Sequence, residues 1–287
     1  MPHAAAASER PLTHTLITGA STGLGLELAR LFAADGHPLA LVARSADRLE
    51  ALADVLRRDF EIDVRVMPAD LAAPGAAEAL AERLLAEGPG IRHLVNNAGI
   101  GAYGPFASRP ASLYADLLDL NVRALTTLTH RLLGPMLALP KGERRGVMNV
   151  ASTAAFQPGP LMAVYFASKS YVLSFSEALH EELRGTGVLA CAFCPGPTRT
   201  EFFRHDAMIP PGAVADDGTI DPAALARYES RDRRRMDATL AARIGYRGYL
   251  AGRAIVIPGR RNALMARLPG LLPRALIRRV VHRMMRK

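Results

Sequence analysis

The chain has 287 residues, of which 49% are hydrophobic and 22% charged, a composition typical of a soluble protein with a sizeable core. No apolar run approaches the roughly 18 residues that a membrane-spanning helix needs. The first twelve residues lack the apolar segment of a signal peptide, so we expect a disordered lead-in at 1–12 and a cytoplasmic protein. The formal charge is +9, but no Asp or Glu follows Asp237. The rest of the chain is close to neutral, which argues against a nucleic-acid-binding surface.

Short apolar segments of the β type alternate along the chain with longer segments of helical periodicity. Strands that are apolar almost throughout are typical of a parallel sheet buried on both faces. The alternation predicts one α/β domain at 13–259, with a doubly wound parallel sheet of about seven strands. We expect strands at 13–18, 39–43, 63–67, 91–96, 146–151, 188–194 and 254–257. We expect helices at 23–36, up to about 60, at 76–87, 112–139 and 162–185, and in a basic helical extension at 260–287.

Residues 18–25 (TGASTGLG) stand between the first predicted strand and the first predicted helix. Gly19, Gly23 and Gly25 permit a tight turn and a close approach of the backbone, and the N-terminus of the helix then suits a pyrophosphate. The spacing is G-x-x-x-G-x-G rather than G-x-G-x-x-G, and glycine-rich turns are common. Its place at the start of a βαβ array favours a nucleotide site over a purely structural turn.

Arg44 follows the second predicted strand, where NAD-binding folds usually carry an acidic residue for the ribose 2′-hydroxyl. An arginine at this position suits a 2′-phosphate instead. The sequence therefore predicts NADP(H) rather than NAD(H). The alternative is a solvated arginine that starts a helix and is neutralised by Asp47.

Cys191 and Cys194 form a C-x-x-C pattern, which also occurs in redox and zinc sites. They fall in a β-type run, where residues an odd number of positions apart point to opposite faces. Two cysteines are also too few for a disulfide framework. We interpret both as packed strand residues, with a redox or metal pair as the alternative.

Tyr165 and Lys169 lie one turn apart in a predicted helix and therefore share a face. A nearby ammonium favours the phenolate and would lower the tyrosine pKa from its reference near ~10 towards neutrality, which makes Tyr165 a candidate general acid/base. Ser152 follows a predicted strand, at the end where open α/β sheets bind ligands. A lone Y-x-x-x-K pair also arises by chance on solvated helices, so it carries weight only together with the other motifs.

Together the motifs resemble the short-chain dehydrogenase/reductase family in its non-extended form, over roughly residues 13–259. After the glycine motif, the family has an adenine-contacting aspartate, a fourth-strand motif, a helix asparagine, the Ser-Tyr-Lys set and a Pro-Gly segment. The matching positions are Asp70, residues 96–99 (NNAG), Asn121, Ser152, Tyr165, Lys169 and residues 195–200 (PGPTRT). The resemblance implies a Rossmann-type fold. Residues 157–160 (QPGP) and the extension are most similar to the bacterial 17β-hydroxysteroid dehydrogenase/3-ketoacyl reductase branch.

The resemblance implies hydride transfer between a nicotinamide and a carbonyl or secondary alcohol, with no metal. Tyr165 would transfer the proton and Ser152 would hold the carbonyl oxygen. Lys169 would lower the tyrosine pKa and bind the nicotinamide ribose, and Asn121 would hold a water that links Lys169 to solvent. The implied cofactor-binding residues are Gly19, Ser21, Gly23, Leu24, Arg44, Asp70, Asn97, Tyr165, Lys169, Pro195 and Thr200.

The loops expected to border the substrate carry mainly apolar side chains. This favours a hydrophobic carbonyl substrate, of lipid, steroid or ketoacyl type, over a small polar one, although loops packed on a core also contain such residues. A Gly- and Pro-rich stretch at about 200–224 is expected to form a mobile lid. The substrate candidates are Tyr103, Phe156, Met162 and Phe202.

Three further expectations concern partners and rival functions. The alternative to an enzyme is a catalytically silent dinucleotide-binding sensor or scaffold, because a fold alone does not fix an activity; the intact Ser-Tyr-Lys set favours the enzyme. The resemblance implies a homodimer or homotetramer, paired through the helices at 112–139 and 162–185. The basic amphipathic extension at 260–287 suits a peripheral membrane contact, with packing against protein as the alternative.

Overall fold

The computed structural model describes residues 13–87, 90–140, 142, 144–204, 208 and 235–286. The expected disordered lead-in at 1–12 lies outside the described residues, and so does most of the expected lid at 200–224. The side chains of residues 203, 204 and 286 are likewise outside the description.

Seven parallel strands form a single sheet in the order β3-β2-β1-β4-β5-β6-β7. The order reverses at β1, which pairs with β2 on one side and with β4 on the other. Open α/β sheets bind ligands at such a reversal, beyond the carboxyl ends of the strands. The predicted doubly wound sheet is therefore confirmed. The strands are β1 (Thr13–Thr18), β2 (Leu39–Ala43), β3 (Val64–Pro68), β4 (Gly90–Asn96), β5 (Arg145–Val150), β6 (Val188–Phe193) and β7 (Ile255–Val256).

The helices follow the strands in alternation, as the periodicity predicts. The predicted helix at 112–139 is interrupted in its middle by a π-helical segment, Asp119–Ala124, which hydrophobic periodicity cannot reveal. The helices are α1 (Gly23–Ala34), α2 (Ala46–Phe60), α3 (Ala76–Ala86), α4 (Ala111–Leu118), α5 (Leu125–Ala138), α6 (Ala163–Glu182), α7 (Ala238–Leu250), α8 (Arg260–Arg267) and α9 (Arg274–Arg286).

Two apolar layers cover the two faces of the sheet, because β-strand side chains alternate between faces. Helices α1, α2 and α7 cover one face, and α3, α5 and α6 cover the other. Buried residues of the first layer include Leu28, Phe32, Leu49, Leu56, Phe193 and Tyr249. Those of the second include Leu16, Leu80, Leu94, Leu128, Val147 and Leu179.

The two cysteines are free, and each packs in a different apolar cluster. Cys191 belongs to the layer under α1 and α7, whereas Cys194 lies in a smaller cluster with Val172 and Leu173 of α6. Burial raises the pKa of the Cys191 thiol to about 12. The prediction that both cysteines are packed apolar residues on opposite faces is confirmed, although Cys194 lies one residue past the end of β6.

The chain leaves the sheet edge after residue 199 and returns to the same point at residue 236. Thr198 and Met236 form a parallel bridge. The amide of Arg199 donates to the carbonyl of Met236 at 2.9 Å, and the Arg199 guanidinium pairs with Asp237 at 3.2 Å. Asp237 also caps α7 by accepting from the amides of Thr239 and Leu240. The two ends of the excursion are therefore fixed side by side.

The basic extension folds as α8 and α9, two short helices that lie against the carboxyl edge of the sheet. Ile277 and Val281 of α9 are 6% and 4% exposed, so this side of the helix packs against the protein. No helix in the described ranges has both the length and the apolar composition that crossing a bilayer requires.

Candidate active site

The glycine turn lies between β1 and α1 and requires glycine for two separate reasons. Gly19 and Gly23 have φ angles of +64° and +56°, a region that other residues rarely adopt. A β-carbon on Gly25 would lie 2.2 Å from the carbonyl oxygen of Gly19. The tight turn therefore leaves the backbone N–H groups at the start of α1 open to a ligand. A pyrophosphate binds to a helix N-terminus in this way.

Asn97 fixes the glycine turn from the neighbouring strand. Its side-chain amide donates to the carbonyls of Thr18 and Gly19, at 2.9 and 3.1 Å. Its backbone amide donates to the Thr18 hydroxyl at 3.0 Å. The neighbouring Asn96 is buried and donates to Thr129 and to Asn149. Both asparagines thus hold the strand ends in place through their side chains.

Two arginines stand at the carboxyl end of β2 and line one end of the cleft. Arg44 is exposed and lines the cleft, and the described residues include no ion-pair partner for it, so Asp47 does not neutralise it. Arg48, one turn into α2, pairs with Glu201 at 2.9 Å across the cleft. Asp70 lies at the end of the next strand along, where one carboxylate oxygen accepts from the amide of Ala72.

Ser152 follows β5 in an extended conformation and begins a short 3₁₀ helix, Thr153–Phe156. Its hydroxyl oxygen accepts from the amide of Ala154 at 3.1 Å and also hydrogen-bonds with the phenol of Tyr165. The amide of Thr153 donates to the carbonyl of Pro195 at 2.9 Å, which joins this loop to the Pro-Gly segment after β6. The hydroxyl is therefore positioned by two neighbouring strands.

Lys169 lies one turn beyond Tyr165 on α6, as predicted, but it does not bond to the phenol oxygen. Its ammonium nitrogen donates to the carbonyl of Val150 at 2.8 Å and lies 5.9 Å from the centroid of the Tyr165 ring. The lysine is buried, whereas the tyrosine is half-buried at the wall of the cleft. The strand end of β5 therefore holds the ammonium beside the aromatic ring.

The prediction that Lys169 lowers the Tyr165 pKa is wrong for this structure. Burial raises the pKa of the Tyr165 phenol to about 12, and the hydrogen bond with Ser152 only partly opposes the rise. Burial also lowers the pKa of the Lys169 ammonium to about 8. Burial removes water from both groups and therefore disfavours the charged form of each. Tyr165 is accordingly a protonated phenol at neutral pH, the form that can donate a proton.

Asn121 connects the helix carrying Tyr165 and Lys169 to the end of β4. Its side chain exchanges two hydrogen bonds with the backbone of Ile100, at 3.0 and 2.9 Å, and donates to the Ser168 hydroxyl at 3.1 Å. Its carbonyl oxygen and the Lys169 nitrogen both lie within 3.5 Å of the point that a β-carbon at Gly99 would occupy. Asn121 sits in the π-helical segment, a distortion that is frequent at functional sites.

The remaining predicted cofactor residues line the same cleft. Ser21, Leu24 and Pro195 border it. Thr200 borders it as well, and its side chain packs 3.0 Å from the β-carbon position of Gly23. Thr200 therefore lies directly over the glycine turn.

Three of the four predicted substrate residues converge beside Tyr165. Phe202 packs against the Tyr165 ring with centroids 5.5 Å apart. Met162 is buried in a cluster whose partly buried members include Tyr103 and Tyr165. Phe156 does not join them, because it packs into the apolar cluster around Val172 beneath the site, and the cleft lining described includes Gln157 instead.

The C-terminal extension supplies part of the cleft wall, which the sequence analysis does not predict. The Tyr103 hydroxyl donates to the carbonyl of Met285 at 2.6 Å, and Met285 packs in the same cluster as Tyr165. Asn262 of α8 packs against Gly196, where a β-carbon would lie 2.5 Å from the amide nitrogen. The sequence does show that α9 is amphipathic. This pattern does not reveal which surface of the protein the apolar side of the helix covers.

The cleft as a whole has a volume of about 2250 Å³ and extends from Arg44, past Tyr165, to α9. Its residues fit a nicotinamide dinucleotide: the glycine turn at a helix N-terminus suits the pyrophosphate, and Arg44 suits a group on the adenosine ribose. Ser152, Tyr165 and Lys169 converge at the opposite end. Three or more His, Cys, Asp or Glu side chains that could hold a metal ion do not come together anywhere in the described part of the chain.

A profile described as short chain dehydrogenase matches residues 13–207 of this sequence. The chain belongs to the short-chain dehydrogenase family. The predicted family is therefore confirmed, and with it the class of activity: this short-chain dehydrogenase is an NAD(P)-dependent oxidoreductase of alcohols or ketones.

Among curated proteins, this short-chain dehydrogenase is similar to the monensin polyketide synthase putative ketoacyl reductase of Streptomyces virginiae. The two are 34% identical over 237 residues, which are 82% of this chain and 88% of that protein.

Two solved structures show the range of cofactors among similar proteins. A short-chain dehydrogenase from Sphingobium yanoikuyae in complex with NADPH is 31% identical, with a TM-score of 0.73 over 91% of this chain and 95% of that one. A short-chain dehydrogenase/reductase from Burkholderia phymatum in complex with NAD is 26% identical, with a TM-score of 0.74 over 90% of this chain and 93% of that one. A nicotinamide dinucleotide is thus common to both similar structures, whereas the 2′-phosphate is not.

Proposed function

We propose that this protein is an NADP(H)-dependent reductase of hydrophobic ketones or aldehydes, with Tyr165 as the proton donor. The observation that carries the proposal is the convergence of Ser152, Tyr165 and Lys169 at one end of a cleft whose walls on that side are apolar. The bound nicotinamide would supply the hydride to the carbonyl carbon.

The other catalytic roles would belong to four residues of the chain. The Ser152 hydroxyl, fixed by the loop after β5, would donate a hydrogen bond to the carbonyl oxygen as negative charge develops there. The protonated Tyr165 phenol would then transfer its proton to that oxygen. The charged Lys169, beside the ring, would stabilise the phenolate that remains and would contact the nicotinamide ribose. Asn121 holds α6 against the end of β4 and would bind the water through which Tyr165 is reprotonated.

The choice of NADP(H) rests on the two arginines at the end of β2. Arg44 is exposed to the cleft with no ion-pair partner among the described residues, and Arg48 lies one turn away. A 2′-phosphate would bring a strong bidentate acceptor to the Arg44 guanidinium, which has no ion-pair partner among the described residues, whereas Arg48 would have to share its donors with Glu201. The remaining contacts to the cofactor would come from Gly19, Ser21, Gly23, Leu24, Asp70, Asn97, Pro195 and Thr200.

The substrate class rests on the side chains around Tyr165. Phe202, Met162, Tyr103 and Met285 form an apolar wall there, and a cleft of this kind suits a lipid-, steroid- or ketoacyl-like carbonyl compound. The similarity to a putative ketoacyl reductase supports the same class.

The direct test is the oxidation of NADPH and of NADH by the purified protein with a panel of ketones and aldehydes of increasing apolar length. The proposal predicts turnover with NADPH at least about tenfold more efficient than with NADH, and increasing efficiency with apolar length. Equal use of both cofactors would contradict the reading of Arg44, and a preference for small polar carbonyls would contradict the substrate class.

We also propose a homodimer or homotetramer in the cytoplasm. Leu118, Leu137 and Tyr171 are exposed apolar side chains on α4, α5 and α6, the helices through which the family resemblance implies pairing. A monomer mass at micromolar concentrations in light scattering would contradict this. Independently of the catalytic activity, we propose a peripheral membrane contact through residues 260–287.

A further inference from the structure

The outer edge of the cleft on the α8–α9 side is lined with exposed apolar side chains. Leu276, Val280 and Met284 lie four residues apart along α9, and they are 47%, 48% and 64% exposed. Met265 and Leu272 are similarly exposed, and all five residues line the cleft. These five side chains, named here the apolar rim, are exposed along the α8–α9 side of the cleft.

The other side of α9 is strongly basic. Arg274, Arg278, Arg279 and Arg283 are exposed and form no ion pair with the described residues. No Asp or Glu occurs after Asp237, so neighbouring positions in the extension cannot neutralise them. The helix therefore presents exposed apolar side chains and uncompensated positive charge next to each other.

The third side of α9 connects this surface to the catalytic residues. Ile277 and Val281 are buried towards the protein, and Met285 packs in the cluster that contains Met162, Tyr103 and Tyr165. The Tyr103 hydroxyl fixes the end of the helix by donating to the Met285 carbonyl at 2.6 Å. One short helix thus forms both the inner wall of the cleft and its outer edge.

We infer that the apolar rim and the α9 arginines bind an anionic lipid bilayer, and that an apolar carbonyl substrate enters the cleft from that bilayer across the rim. Apolar side chains inserted beside arginines are the arrangement by which an amphipathic helix lies in a membrane interface. Each arginine near an anionic surface strengthens binding, and the apolar rim removes the need for the substrate to cross water. The entry route rests on the proposed function, whereas the binding to lipid does not.

Two other occupants fit the surface less well. A second copy of this chain would bring the same arginines to a two-fold interface, where like charges repel. An acidic protein would pair with the arginines, but it would leave the apolar rim against polar atoms or water. An anionic bilayer satisfies both the charge and the apolar side chains.

The test for docking is sedimentation of the full chain, without cofactor or substrate, with vesicles of phosphatidylcholine alone or of an equal mixture with phosphatidylglycerol. The wild type is expected to bind the mixed vesicles only. The triple variant Arg278→Gln, Arg279→Gln and Arg283→Gln should bind about 100-fold more weakly, at roughly fivefold for each arginine. The rim variant Leu276→Ser, Val280→Ser and Met284→Ser should lose at least about tenfold.

The matched control removes three arginines elsewhere, by Arg30→Gln, Arg58→Gln and Arg184→Gln. These arginines are exposed, lie far from α9 in the sequence and pair with neighbouring carboxylates. This control should bind vesicles as the wild type does, and melting temperatures verify that all variants are folded. Equal binding by the wild type and both α9 variants, or binding by none, would overturn the inference. So would a rim variant that changes the oligomer mass while the wild type ignores vesicles.

The entry route is tested by the transfer of a fluorescent long-chain ketone from mixed vesicles to the protein, a readout that needs no turnover. Transfer to the wild type should be several-fold faster than transfer to the rim variant. Equal rates would overturn entry across the rim. Absence of NADPH oxidation with any ketone would contradict the proposed function alone, because sedimentation and transfer are measured independently of it.

Discussion

The two ends of the cleft are built in different ways. The cofactor side, from the glycine turn to Arg44, is held by hydrogen bonds between strand ends, such as those from Asn97 to Thr18 and Gly19. The proposed substrate side, from Tyr103 to α9, is held mainly by apolar packing, together with hydrogen bonds from Tyr103 to the Met285 carbonyl and from Arg109 to the Tyr103 carbonyl. Hydrogen bonds demand particular atoms at particular distances, whereas apolar packing accepts many side chains of suitable volume. We infer that the end at the glycine turn fixes the position of the cofactor, whereas the end at α9 selects the substrate.

The largest expected effect comes from the residue where the two sides meet. Tyr165→Phe keeps the ring but removes the proton donor, so kcat should fall by about 10²- to 10⁴-fold while NADPH affinity, measured by fluorescence titration, changes little. The control Tyr114→Phe removes an exposed hydroxyl that bonds to the carbonyl of Phe106, and it should leave both values unchanged. Turnover that survives in Tyr165→Phe would remove Tyr165 from the mechanism.

The next effect tests the cofactor side alone. Arg44→Gln removes a charged donor for the 2′-phosphate, so NADPH should bind about 10- to 100-fold more weakly while NADH binding stays nearly constant. Arg58→Gln serves as the control, because Arg58 is exposed and pairs with Asp59 away from the cleft. A parallel loss for both cofactors would mean that Arg44 acts through the fold rather than through the phosphate.

The pH dependence of turnover tests whether the titration of Tyr165 or of Lys169 limits the reaction. The phenol of Tyr165, with a pKa of about 12, keeps its proton throughout the accessible range, whereas the Lys169 ammonium, with a pKa of about 8, loses its charge above that pH. Turnover should therefore decline above pH 8, by up to about tenfold for each further pH unit. Lys169→Arg keeps the charge at high pH, so a less active variant without this decline is expected. An unchanged decline in that variant would assign the titration to another group.

The smallest expected effect belongs to the substrate side. Ile277→Ala shortens a buried side chain that lines the cleft, so KM for a long-chain ketone should rise roughly fivefold while kcat for a short ketone stays constant. Leu271→Ala, at a position that is 81% exposed, is the matched control. A loss of kcat with both ketones would show that α9 supports the catalytic residues and not only the substrate.

The sequence was most informative where function depends on local patterns. The glycine turn, Ser152, Tyr165 and Lys169 are recognisable because each sits at a fixed distance from a strand or within one helical turn. The structure brings the first three to one cleft, with Lys169 buried beside the Tyr165 ring. The sheet itself follows from alternating apolar strands and amphipathic helices. Such signals need no knowledge of which distant residues meet.

Predictions from the sequence were wrong, or could not be made, for features that depend on contacts between residues far apart in the chain. The pKa of Tyr165 depends on how deeply α6 packs, so a rule based on its spacing from Lys169 has the wrong sign. Phe156 is an apolar residue next to the site, but its ring packs against the cluster around Val172 instead of lining the cleft. The pairing of Arg48 with Glu201 joins residues 153 positions apart. An amphipathic stripe predicts that α9 covers something apolar, but not that it covers the substrate cleft.

The bridge between Thr198 and Met236 bears on how far the chain between these two residues can be changed in length. Because Thr198 and Met236 lie side by side, the entropic cost of joining them by a loop rises by only about 0.6 kcal/mol for each doubling of the loop's length. A segment that keeps Thr200 over the glycine turn and Phe202 against the Tyr165 ring can therefore vary in length while the sheet and Tyr165 stay in place. Thr198 and Met236 therefore mark the two positions between which the chain can be altered to change the substrate preference while the rest of the enzyme is kept.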